Sequence, residues 1–119
     1  MKEKIEEFIS KKKFEESGLY PGAIDGDTKI FLVNKMDEIA SDFKKVVESD
    51  APQGSNYLEI IREGIQMFNG NKTQLDFEDR ERVCIYFQEL MDIVGLDSSN
   101  GQLNKFLYGF DPNEISKAN

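Results

Sequence analysis

The stretch from Thr28 to Ser49, TKIFLVNKMDEIASDFKKVVES, decides how the rest of the chain is read. Stepped at about 100° per residue, Ile30, Leu32, Val33, Met36, Ile39, Ala40, Phe43, Val46 and Val47 cover more than half of a helical wheel. A surface helix needs only a narrow apolar stripe. One this wide predicts a central helix packed on two sides, capped by Asp27 or Thr28.

Outward from this segment the period stays helical, with no strand-length alternation of polar and apolar residues. Upstream, Ile5, Phe8 and Ile9 form one stripe of a first helix over residues 2–13, with the aliphatic stem of Lys12 continuing it. Gly18, Pro21, Gly22 and Gly26 then mark an irregular connection. Downstream, the capping-box spacing Asn56-Tyr57-Leu58-Glu59 opens a third helix over 57–68, with Tyr57, Ile60, Ile61, Ile65, Met67 and Phe68 inward. Gly64 in that stripe predicts close approach of another helix, since it lowers helix propensity by about 1 kcal/mol. Asp76 to Asp79 opens a fourth helix that stops at Gly95, with Val83, Tyr86, Phe87, Leu90, Met91, Ile93 and Val94 inside and Cys84 at the margin. Ser99-Asn100-Gly101-Gln102 has capping-box spacing for a short fifth helix carrying Leu103, Phe106 and Leu107, with Phe110 continuing that face. Asp111-Pro112 can start one further turn. The expected fold is all-α: residues 1–119 as one orthogonal bundle of five helices, or six with that last turn.

Composition limits the chemistry. The 119 residues carry a formal charge of -8, one cysteine and no histidine. Without histidine, the usual triads and ordinary zinc hydrolases are excluded, leaving carboxylates, tyrosines or Cys84 for any catalysis. Strong acidity argues against nucleic acid, whose phosphates are bound by clustered Lys and Arg. The charged amino terminus and the short apolar runs give neither a signal peptide nor a membrane span, so the expected compartment is the cytoplasm. Asn71-Lys72-Thr73 fits a glycosylation pattern and reads as a turn.

Three segments are distinctive: EDRERVC at 78–84, YFQELMDIVGL at 86–96 and NKFLYGFD at 104–111. With Lys12-Lys13-Phe14 and Tyr20-Pro21-Gly22, they resemble a family of short bacterial all-helical proteins catalogued only as a domain of unknown function. That resemblance covers most of the chain and implies no activity and no catalytic residues.

The remaining constellations have plain explanations. Cys84 lies one turn after Arg80, which would activate an exposed thiol, yet its position beside Phe87 and Met91 predicts a packed one. Asp76, Glu78, Asp79 and Glu81 lack calcium-loop spacing and suit the positive end of a helix dipole in solvent. Lys11-Lys12-Lys13 reads as a solvated helix end. Ile85, Phe31 and Tyr108 are apolar or aromatic positions that face away from the expected core.

These readings converge on a non-enzymatic, acidic interaction module, of an immunity or regulatory kind, with a basic or neutral protein as partner and no cofactor or metal. Glu81, Ile85, Glu89 and Asp92 recur at three- and four-residue spacing and form the expected contact stripe, with Tyr108 as a further contact. The alternative is a small-molecule binder or histidine-free enzyme with an apolar pocket between the second, third and fourth helices. That pocket would be lined by Tyr57, Tyr86 or Cys84 and gated by residues 17–28.

Overall fold

A computed structural model describes residues 1–23, 25–50, 54–70 and 75–109, and among them the chain forms five helices. These are α1 (Lys2–Ser10), α2 (Gly26–Val47), α3 (Gly54–Asn69), α4 (Phe77–Val94) and α5 (Gln102–Tyr108). The all-α reading holds, with a single isolated antiparallel bridge between Ser17 and Tyr20 as the only extended pairing among the described residues. The turn expected after Asp111, Phe110 and the Asn71-Lys72-Thr73 pattern lie outside the described residues.

The central position of α2 follows from its wide apolar stripe. It packs on α1, α3 and α4, burying Leu32, Met36, Ile39, Ala40 and Phe43. Buried residues of all five helices join one apolar cluster with Phe14, Tyr20 and Leu75. Two residues depart from expectation. Ile30, on the edge of the stripe, is exposed. Phe31, read as outward, packs edge-on against Phe68 with ring centroids 6.2 Å apart.

Several helix ends differ from the sequence reading. Helix α2 starts two residues early because the Asp25 carboxylate accepts the Thr28 amide at 2.7 Å, taking the capping role expected of Asp27 or Thr28. In α3, Asn56 lies inside the helix, and Glu59 pairs with Arg62 instead of reaching back to a cap. Asp76 caps α4 as expected, accepting the Asp79 amide at 2.8 Å, and Gly95 ends it in the left-handed region at φ 74°. At α5 the expected box does not form, for Gly101 is the N-cap and has no side-chain capping bond. Ser99 Oγ accepts the Leu103 amide, while the Gln102 side chain donates to the Leu58 carbonyl of α3.

Gly64 marks a close contact between helices. A Cβ there would stand 2.7 Å from Ile39 Cδ1 and 3.2 Å from Phe87 Cζ, so α2 and α4 both crowd this point of α3. In an open helix, Gly→Ala gains about 1 kcal/mol of propensity. Here overpacking of about 1–3 kcal/mol outweighs it. Gly64→Ala should therefore lower the stability measured by denaturant unfolding, and adding Ile39→Val, which deletes the clashing methyl, should recover part of the loss.

Candidate functional site

Two of the segments that carry the family resemblance, Lys12 to Phe14 and Tyr20 to Gly22, belong to segment 11–23, which is fastened across α4. Helix α1 stops at Ser10, three residues short of expectation, and Lys11 is extended at ψ 154°. Lys13 explains the stop. Its side chain is wholly buried, and Nζ donates to the Ile9 and Lys11 carbonyls at 3.0 Å each while standing 2.8 Å from Asp37 Oδ1. The two carbonyl contacts are aligned hydrogen bonds. The Asp37 approach lacks that alignment and acts as an ion pair. The Phe8 ring, its centroid 4.9 Å away, gives the ammonium a further neighbour. Lys12, expected to extend the apolar stripe, is exposed. The Lys11 to Lys13 run is therefore no solvated helix end, for Lys11 also pairs with Glu89 and lies near the Phe8 and Tyr86 rings.

Beyond Lys13 the chain turns sharply. Phe14 adopts φ 59°, a conformation costly for a side chain of this size, and two contacts hold it. Its amide donates to the Tyr86 hydroxyl at 3.0 Å, and its ring packs edge-on to Tyr86 at 5.0 Å. Gly22 completes the turn at φ 88°, where a Cβ would meet the Glu16 amide nitrogen at 3.2 Å. Ser17 and Tyr20 exchange backbone hydrogen bonds, leaving Leu19 at the tip in solvent. The Tyr20 hydroxyl then donates to Asp79 Oδ1 at 2.8 Å, and the Arg82 guanidinium lies 4.7 Å from the Tyr20 ring centroid.

Asp79, read as a solvated first-turn carboxylate, is only 2 % exposed. Burial raises its pKa above the usual carboxylate value, with the Tyr20 hydrogen bond opposing the shift and Asp76 and Glu78 adding to it. Burial also raises the Tyr20 phenol, and the adjacent carboxylate raises it further. Cys84, placed at the core margin by its sequence position, is buried. Its thiol points to the Leu103 carbonyl at 3.7 Å, and burial pushes its pKa up to about 12 despite Arg80. Arg80 itself stacks on Phe106 and bonds to Asn69.

The structure separates the five expected contact residues. Glu81, Ile85, Glu89 and Asp92 share the outer side of α4, with Glu81 and Asp92 exposed and Ile85 partly so. Glu89 is corrected as a free carboxylate, since the Lys11 ammonium neutralises it. Tyr108 is exposed as expected, but its ring lies tilted against that of Phe77, centroids 6.2 Å apart, at the opposite end of α4 from Asp92. Phe77 and Asp92 are 15 residues apart, about 22 Å at the helical rise. No signal in the sequence pairs Leu19 with this end of α4. Yet Leu19, Tyr20, Phe77, Glu78, Glu81 and Arg82 line one cleft there, of about 330 Å³.

The three residues proposed to line an inner pocket meet different neighbours. Tyr57 packs on Phe43, Tyr86 on Phe8 and Phe14, and Cys84 faces α5. Ile39, Gly64 and Phe87 fill the junction of α2, α3 and α4. Among the described residues no group of three or more Cys, Asp or Glu is placed to hold a metal ion, and no helix is long and apolar enough to cross a membrane.

A family model described as Domain of unknown function (DUF4844) matches residues 1–111. The chain belongs to that family. A crystal structure of a DUF3571 family protein from Acinetobacter baumannii AYE is similar, with a TM-score of 0.81 and 34% identity over 98% of this chain and 93% of that one. No match was found among curated proteins. Both matches span segment 11–23 and α4.

Two outcomes follow from this clasp. Lys13→Met would leave two carbonyls and Asp37 without their cation. Removing one member of a buried pair costs about 3–5 kcal/mol, and the partial exposure of Asp37 lowers the expected loss to about 2–4 kcal/mol by chemical denaturation. For Asp79, the raised folded-state pKa means that the native chain holds this proton more tightly than the unfolded chain. Its stabilising contribution is thus present below the unfolded value of about 3.9 and is lost as pH rises through the folded value. Asp79→Asn, which mimics the neutral acid, should cost less stability at pH 7 than at pH 3.5; an equal cost at both would show that Asp79 titrates normally.

Proposed function

We infer that this domain is a non-enzymatic protein-interaction module that uses the acidic outer side of α4 to meet a basic or neutral partner protein, as an immunity or regulatory protein would. One observation carries the reading: Glu81 and Asp92 are exposed, make no ion pair among the described residues, and stand on either side of the partly exposed Ile85. An apolar contact between unneutralised carboxylates separates contact energy from electrostatic steering. Glu89 extends the stripe through a pair with Lys11 that a partner's cation can compete for, and Tyr108 adds an aromatic contact at the far end. The formal charge of -8 favours a basic partner over a nucleic acid or an anionic membrane.

The inward setting of the most reactive side chains supports a role without catalysis. Cys84 is buried with a raised pKa, Tyr20 is tied to Asp79, and the Tyr86 hydroxyl accepts a backbone amide. An apolar ligand site between α2, α3 and α4 is the weaker reading, because side chains already occupy that junction.

The test is capture of the partner from cells that produce this protein, followed by binding kinetics with the purified pair. Glu81→Lys with Asp92→Lys should slow association by roughly tenfold and flatten its salt dependence, while Ile85→Ala should mainly speed dissociation. Unchanged kinetics in both variants would mean that this side of α4 is only a solvated face.

A further inference from the structure

Three of the five large apolar residues exposed among the described residues, Leu19, Phe77 and Tyr108, lie at the amino-terminal end of α4. Leu19 stands fully in solvent, and Phe77 and Tyr108 are 50% and 52% exposed. Their positions are fixed by the fold. Leu19 is at the tip of a turn closed by the paired backbones of Ser17 and Tyr20 and held to α4 by the Tyr20–Asp79 hydrogen bond. Phe77 is the first residue of α4, and its ring lies against that of Tyr108. A rigid turn that holds a leucine in water buries none of that side chain on folding.

Leu19 and Phe77 line the 330 Å³ cleft together with Tyr20, Arg82, Glu78 and Glu81. Sites for whole small ligands run roughly from 300 to 1,000 Å³, so this cleft is near the lower limit and suits one large side chain. Arg82 is engaged with the Tyr20 ring, whereas Glu78 and Glu81 make no ion pair among the described residues. The two carboxylates of the lining select the occupant. A second copy of the chain would bring the same carboxylates against one another, and like-charge juxtaposition opposes that contact. Lysine or arginine residues on either side of an apolar one complement these carboxylates.

We propose that the cleft between Leu19 and Phe77 is an anchor site for a polypeptide segment of another protein, taking one large apolar or aromatic side chain flanked by lysine or arginine. This rests on the interaction-module reading and names the chemistry of the partner. The segment lies across the amino-terminal end of α4, with its apolar residue between Leu19 and Phe77 and its cations against Glu78 and Glu81. Tyr108 extends the apolar wall. The contact is small, so an isolated segment binds weakly, with a Kd on the order of 10–1000 μM, and gains strength only as part of a larger surface.

The probe is a synthetic peptide with one tryptophan between Lys-Arg pairs in a Gly-Ser frame, titrated into the full chain labelled with nitrogen-15. Shifts should centre on the backbone amides of Leu19, Tyr20, Phe77, Glu78 and Tyr108. Leu19→Ser, at a side chain with no packing to lose, should weaken binding at least fivefold, and Glu78→Lys with Glu81→Lys at least tenfold. A peptide with serine for tryptophan should bind at least tenfold more weakly. The proposal is overturned if the shifts lie elsewhere or are absent, if Leu19→Ser binds as the parent does, or if a tryptophan between glutamates binds equally well. It is also overturned if sedimentation shows a dimer that Leu19→Ser dissolves, which would make a second copy the occupant. The two readings fail separately: a natural partner slowed by Glu81→Lys with Asp92→Lys, but unaffected by Leu19→Ser, keeps the module and removes the anchor.

Discussion

The buried ammonium of Lys13 is the constraint on which the arrangement around α4 depends. A charge taken out of water must be met by acceptors, and Lys13 finds them on three elements or junctions: the last turn of α1, the Lys11 carbonyl beyond it, and Asp37 on α2. This set of partners ends α1, ties it to the central helix and starts segment 11–23 in the direction of α4. The left-handed backbone at Phe14 is the next consequence. It is tolerated because Tyr86 supplies both a hydrogen-bond acceptor and a ring. Leu19 reaches the start of α4 only because these contacts, with Tyr20 and Asp79, hold the segment down.

Polar residues of α4 thereby divide into two groups with different work. Asp76 caps the helix start, Asp79 faces inward to the clasp, and Glu89 answers Lys11. Glu78, Glu81 and Asp92 have no such partner among the described residues and leave their charge to the solvent. Sequence spacing alone groups all of these as one acidic helix. The difference lies in what crosses it.

The helices were legible because their information is periodic. The stripes of α2, α3 and α4, the close approach at Gly64 and the stop at Gly95 follow from spacing and from single residues with strong backbone preferences. Lys13 and Asp79 were misread for one shared reason. A charged residue in a charged run looks solvated until a distant residue is known to cover it, and Ile9, Asp37 and Tyr20 give no local sign of doing so. Glu89 was missed in the same way through Lys11. The helix boundaries at Ser10 and Gly26 moved because a buried lysine and the Asp25 cap outweighed the periodic pattern. The cleft beside Phe77 joins residues far apart in sequence, so no spacing within one helix could reveal it.

The sequence separations across the clasp also order its assembly. The hydrogen bond from Phe14 to Tyr86 joins residues 72 apart, and that from Tyr20 to Asp79 joins residues 59 apart. Closing a flexible loop of that size costs about 4 kcal/mol of chain entropy, which a single hydrogen bond does not repay. These two bonds therefore need the docked helices to have brought Tyr86 and Asp79 into position. The Phe14 amide, bonded to a side chain and not to a helix carbonyl, thus has an exchange rate that reads the parting of segment 11–23 from α4.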